Sequence, residues 1–159
     1  MNPADFHKTA ELLKSREEEW HIRTSINRSY YGLFLCLRQS LTEAGVRLPD
    51  RRRKSHHQFL IDCFHESCLP KGTCDPKNKE STRRSRTKDK LIGGIYLRLK
   101  SLLQNRTNAD YNLSVRFRKQ DSEDNFLLAT RTIQDFNSLR GADREKHIIK
   151  TSKVLSQSY

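Results

Sequence analysis

The chain has 159 residues, with 31 Lys plus Arg against 19 Asp plus Glu, a net charge of +12 and 34% hydrophobic residues. That length allows one domain with a real core, and the periodic placing of the apolar residues excludes a disordered polyelectrolyte. The cationic surplus favours nucleic acid or another polyanion as partner, and the opening MNPADFHKTAELLKSREEEW reads as neither signal peptide nor membrane span.

The first element begins with Asn2 placed to cap, Pro3 at the first helical position and Asp5 near the positive end of the dipole. Phe6, Ala10 and Leu13 share its inner face. EEEWHIRTSINRSYYGLFLCLRQSLTEAG follows as a long helix. Trp20, Ile26, Tyr30, Leu33, Leu37 and Leu41 recur at helical spacing, and Gly45 is its stop. RLPDRRRK is a loop with a basic cluster. SHHQFLIDCFHESC is a short helix capped by Ser55, with Phe59, Leu60 and Cys63 inward. From about residue 69 to 88 the chain holds two prolines, a glycine and hardly any apolar residues, so a long exposed basic loop is expected.

The next helix carries Ile92, Ile95, Tyr96, Leu99, Leu102 and Leu103 on one stripe. Gly93 and Gly94 inside it cost about 1 kcal/mol each against Ala, which close helix packing would offset. A further helix is expected from near Ser122, with Phe126, Ala129, Ile133 and Phe136 inward and Gly141 ending it. A weaker last helix covers DREKHIIKTSKVLSQ, with Ile148 and Leu155 inward. No stretch alternates with period two and no repeat is visible. The expectation is one all-α domain over residues 1–159, an up-and-down bundle of four to six helices.

The stripe that ends in Leu102 and Leu103 runs on to Arg106 and Asp110, in the polar stretch RTNADY. Their i, i+4 spacing leaves two readings open. One is a partly buried ion pair that closes the helix. The other is a phosphate site, in which the guanidinium fork takes phosphate oxygens, Asp110 orients it, and Tyr111 donates a hydrogen bond or stacks on a base. An unpaired charge at an inward position is costly, so Arg106 must meet Asp110, a partner chain or a phosphate. Upstream, Tyr30 falls on the apolar stripe as core. Tyr31, roughly 100° round the wheel, packs on the later helix with its hydroxyl toward the polar site, and Arg28 offers a second cation.

RTSINRSYYGLFLCLRQSL resembles the second helix of HEPN domains, with Arg28, Tyr30, Tyr31 and Phe34 on their Arg-x-Tyr-Tyr-x-x-Phe pattern. LLQNRTNADYNL resembles their Arg-x-x-Ala-Asp-Tyr stretch, here Arg106, Ala109, Asp110 and Tyr111. The order and spacing fit over nearly the whole chain. The resemblance implies a HEPN-like all-α bundle that often dimerises. Many members are metal-independent endoribonucleases of toxin or defence type; others bind nucleotides or work beside an antitoxin or a nucleotidyltransferase. Their cleavage motif is Arg, a polar residue, a few residues, then His. Arg106 and Thr107 fit its start, but no His follows. The catalytic candidates are therefore Arg106 as transition-state stabiliser, with Asp110 and Tyr111 in the proton transfers that His would serve better.

Two functions follow as expectations. One is an RNA-engaging endoribonuclease. The other is a non-catalytic binding or assembly subunit of a toxin–antitoxin or defence complex, which the missing His favours. A homodimer is expected in either case, and a cytoplasmic location with reduced cysteines. Between Arg47 and Lys90 lie 13 Lys plus Arg against 6 Asp plus Glu. Arg51, Arg52, Arg53, Lys54, Arg83, Arg84 and Arg86 are accordingly candidate nucleic-acid contacts, with Arg28, through salt-sensitive and weakly sequence-specific phosphate binding. Cys63, Cys68 and Cys74, with His56 or His65, lack the paired Cys-x-x-Cys hooks of a zinc site, so no metal and no cofactor is expected.

Overall fold

The computed structural model describes residues 2–68, 79–139 and 143–159, without the side chains of 79–89 and 143–144. Among these residues the chain is all-helical, in the order α1 (Pro3–Leu13), α2 (Glu19–Glu43), α3 (His56–Cys68), α4 (Lys79–Tyr111), α5 (Lys119–Asn137) and α6 (Asp143–Gln157). None of these helices is long and apolar enough to cross a membrane.

Local chemistry sets most boundaries. Asn2 accepts the Ala4 N–H at 3.0 Å and caps α1. Gly45 follows the end of α2 with φ 78°, a left-handed conformation that suits glycine. Ser55 accepts the Gln58 N–H at 3.2 Å at the start of α3. The Asp121 carboxylate accepts the Arg118 N–H at 2.6 Å, so α5 begins a turn before the expected Ser122.

The expected basic loop divides at Lys79. Residues 69–78 lie outside the described residues, as does Gly141, but from Lys79 onward the chain is already α4. No Pro or Gly stands between Lys79 and Gly93, and Lys, Glu and Arg tolerate a helix well. Once the apolar half of α4 is packed, each preceding residue adds a backbone hydrogen bond without a new nucleus.

Helix α2 is the central element, packed against α1, α4 and α5, while α3 packs on α4 and α6. The core joins Tyr30, Leu33, Leu37 and Leu41 of α2 to Phe59, Phe64, Ile95, Leu99, Leu102 and Phe136. A second, smaller cluster of Ile22, Ile26 and Ala109, backed by Phe117, closes the far end of the α2–α4 contact.

Two expectations change here. Trp20 is not core but 63% exposed, because α2 starts at Glu19 and the ring projects from its first turn. Close glycine packing occurs not at Gly93, where an added Cβ would meet nothing within 4 Å, but at Gly32. A Cβ there would lie 3.2 Å from the His7 backbone nitrogen, so α1 rests directly on α2 at this glycine.

Candidate nucleic-acid interface at the α2–α4 seam

Helix α4 has no basic residue in its last turn to meet its terminal carbonyls, so its negative end needs a cation from elsewhere. Arg23 of α2 supplies it. One guanidinium nitrogen donates to the Ala109 carbonyl at 2.9 Å and the Asn112 carbonyl at 3.3 Å. The other reaches the Val115 carbonyl in the turn beyond. Glu19 accepts from Nε at 3.0 Å and holds the guanidinium, which also lies 5.3 Å from the Phe117 ring centre. The end of α4, which carries Asp110 and Tyr111, is thereby fixed on α2.

One turn along α2, Asn27 donates to Asp110 Oδ1 at 2.6 Å. The other carboxylate oxygen pairs with Arg106 Nη2 at 2.7 Å. The same Nη2 donates to the Tyr31 hydroxyl at 3.1 Å and lies 3.5 Å from that of Tyr111. The guanidinium sits 5.3 Å from the centres of both tyrosine rings, within the range of cation–π attraction. Its Nε is buried without an acceptor, and Nη1 makes no hydrogen bond among the described residues. Burial works against its charge, but Tyr31, Asp110 and Tyr111 outweigh it and raise its pKa.

Beyond Tyr31 stands His57, in the first turn of α3. Its ring lies 5.8 Å from Tyr31 and 4.1 Å from Phe34, and its Nδ1 is 2.8 Å from the Tyr30 hydroxyl. Burial, and then the positive charges of Arg106, His56, Arg51 and Arg38, push the His57 pKa down to about 4. The imidazole is therefore neutral near pH 7. Burial also raises the pKa of Tyr30, which stays protonated. Arg38 lies 5.8 Å from the Phe34 ring on the same side of α2. The seam thus runs from Tyr111 through Arg106 to the rings of Tyr31, His57 and Phe34 and on to Arg38, with a cation on either side of three uncharged rings.

The candidate site residues fall in several places. Arg106, Asp110 and Tyr111 do come together, with Asp110 spent on both oxygens. Arg28 does not join them; it lies over the Phe6 ring of α1 at 5.0 Å. Arg51, Arg52 and Arg53 are exposed in the turn before α3. Arg53 donates to the Tyr159 carbonyl oxygen at 2.7 Å. Lys54 is held inside by Asp62 and the Tyr159 hydroxyl, so its ammonium is already engaged. Arg83, Arg84 and Arg86 lie on α4, with side chains outside the described residues. Cys74 also lies outside them, and no group of His, Cys, Asp or Glu suited to a metal ion occurs among the described residues. Cys63 is fully buried, which pushes its thiol up to about 11 and disfavours the thiolate.

Sequence reasoning missed Arg23, Asn27, Arg38 and His57. For Asn27 there was a signal: it is four residues before Tyr31, on the same helical face. For His57 there was none, because its neighbour Arg106 lies 49 positions away on another helix. Comparisons of the chain with family models, curated proteins and solved structures returned no match.

Proposed function

We propose that this chain is a HEPN-like RNA-engaging domain that binds phosphate at the node formed by Arg106, His57, Arg38 and Arg51. The observation that carries the reading is geometric: the Tyr31 ring has the Arg106 guanidinium 5.3 Å from its centre and the His57 ring 5.8 Å away, with Arg38 over neighbouring Phe34, and burial first, then the charges of Arg106, Arg51 and Arg38, keep the imidazole neutral. A phosphate oxygen would meet the spare Nη1 of Arg106, a planar donor suited to it. In the tautomer in which the Tyr30 hydroxyl donates to Nδ1, the proton of neutral His57 is on Nε2, where it too can face an anion. The charge surplus of the whole chain adds the long-range attraction that such binding needs.

The same geometry favours binding over cleavage. Asp110 is a weak candidate for general base, because each of its oxygens already accepts a hydrogen bond, from Arg106 and from Asn27, and both partners stabilise the carboxylate as it stands. His57, with a pKa of about 4, is a poor acid near neutrality. The domain therefore serves as the non-catalytic binding subunit of an assembly, either as a homodimer or beside an antitoxin-like or nucleotidyltransferase-like protein. Light scattering that gives only the 18.7 kDa monomer would count against the homodimer.

The test is binding of labelled RNA by anisotropy across a salt series, beside incubation of total RNA in EDTA. Salt-sensitive binding without cleavage is expected. Metal-independent cleavage lost in Arg106→Ala would replace this reading with the endoribonuclease one. No binding at low salt would remove both.

A further inference from the structure

Most large aromatic side chains of this protein are buried or half-buried, and two are not: Trp20 is 63% and Tyr111 72% exposed. They share one end of the molecule. Trp20 sits on the first turn of α2, and three residues on, Arg23 holds the carbonyls of Ala109, Asn112 and Val115 that bracket Tyr111. Tyr111 presents one face to the Arg106 guanidinium, which leaves its other side open. Leu113, in the same turn, is also exposed.

The charges around these rings are mixed, and their pairing decides the sign. Glu19 is paired with Arg23, whereas Glu18, hydrogen-bonded to His21 at 2.9 Å, still counts as an acid of the rim. Glu17 is exposed, and Asp121 is turned to the Arg118 backbone. Against them stand exposed Arg16, Arg116, Arg118 and Lys119. Each ring has one side occupied, Trp20 by the His21 ring at 3.4 Å and Tyr111 by Arg106, and their exposed sides in a rim with a cationic excess suit an unpaired nucleobase, whose π-face stacks on an aromatic ring while its phosphates meet arginine. A duplex hides those faces inside its own stack.

We infer that Trp20 and Tyr111 form a stacking platform for unpaired bases, and that the ligand of the seam is single-stranded RNA. This rests on the phosphate-binding reading above and extends it. From Trp20 to Arg38 the seam runs about 27 Å along α2 at 1.5 Å per residue. A strand that stacks on the rings and reaches His57 must lie along it, with its 3′ or 5′ portion at the cationic node.

Trp20 is the chain's one tryptophan, so its emission reports on the platform directly. The experiment titrates the full chain with an oligouridylate of about twelve nucleotides, within the site sizes of such platforms, and with a blunt RNA duplex of the same length. Anisotropy of the labelled RNAs is read beside Trp20 fluorescence. Expected are quenching by the single strand, at least about ten-fold preference over the duplex, and about ten-fold weaker single-strand binding in Trp20→Ala and Tyr111→Ala. Trp20→Phe and Tyr111→Phe, which keep a ring, should retain most of the affinity. Equal binding of both RNAs with unchanged emission would overturn the platform and leave the phosphate node standing. Binding of neither RNA would overturn the node and the platform together. Protein-concentration-dependent burial of Trp20 without RNA, seen as a blue shift, would assign the rings to a contact between copies and overturn the platform.

Discussion

Helix α4 carries two aspartate-paired arginines, Arg98 and Arg106, about two turns apart, and the proposal that only the second is a binding site rests on how they differ. Arg98 reaches across to α5, where Nε donates to Thr132 at 3.0 Å and Nη2 meets Asp135. Arg106 pairs within its own helix, and its other partners are the hydroxyls and rings of Tyr31 and Tyr111. Both side chains are equally sheltered, 19% and 14% exposed. Shelter and an acidic partner therefore do not tell the two roles apart. What differs is where the donors go: those of Arg98 bridge two helices, while Arg106 crowds three contacts on one nitrogen and leaves another unused among the described residues.

The largest change is expected where the Arg106 end is anchored. Arg23→Ala removes the cap of α4 and leaves several carbonyls without their donor, which should cost about 3 kcal/mol in urea unfolding. A loss below about 1 kcal/mol would show that water replaces Arg23 and that the seam end is not fixed by it.

Breaking the clasp comes next. Arg98→Ala strands the Asp135 carboxylate between α4 and α5. The cost should be about 2 kcal/mol, less than for a fully buried pair because both side chains keep some solvent. A neutral result in chemical denaturation would mean that the α4–α5 contact is held by its apolar residues alone.

The charge around His57 makes the Arg106 end sensitive to pH. The His57 pKa lies near 4 in the folded chain against 6.5 as its ordinary value, so the unfolded chain takes up the proton first. Its contribution is full above about pH 6.5 and is lost as pH falls toward 4. After allowance for solvent screening the loss should be about 1–2 kcal/mol. His57→Gln should flatten this part of the stability profile. Phosphate at the node should raise the His57 pKa, so RNA affinity should rise as pH falls from 7 toward 5.5, with proton uptake measurable by calorimetry in buffers of different ionisation heat.

The smallest effects concern the glycines. Gly93→Ala, on the Arg98 half of α4, fills open space and should raise stability by about 1 kcal/mol through helix propensity. Gly32→Ala forces α1 off α2 and should lower it by a similar amount, about 1 kcal/mol, once propensity is offset. Thermal melts that show the opposite signs would place the tight helix contact elsewhere.

The helices were legible because period and caps are local. Asn2, Ser55 and Gly45 act within three residues of themselves, and the stripe from Ile92 to Leu102 is buried as its spacing requires. The Arg106–Asp110 pair was legible for the same reason, since one helical turn joins the two residues, whereas the Tyr31 hydroxyl beside it is a contact between α2 and α4 that the helical wheel could only point toward. The start of α4 was not, because a polar, basic run reads as loop until the packing downstream is known. Trp20 misled because periodicity does not say where the partner helices stop. His57 and Arg23 meet α4 from other helices, and only the fold brings them there.

The most direct test sets the two arginines against each other. RNA affinity is measured for Arg106→Ala and Arg98→Ala at low salt, under conditions where both variants are folded by circular dichroism. Arg106→Ala is expected to bind at least about ten-fold more weakly, the weight of a charge-assisted phosphate contact, while Arg98→Ala keeps the affinity of the unmodified chain. Equal affinity in the two variants would contradict the account and make Arg106, like Arg98, a clasp within the fold.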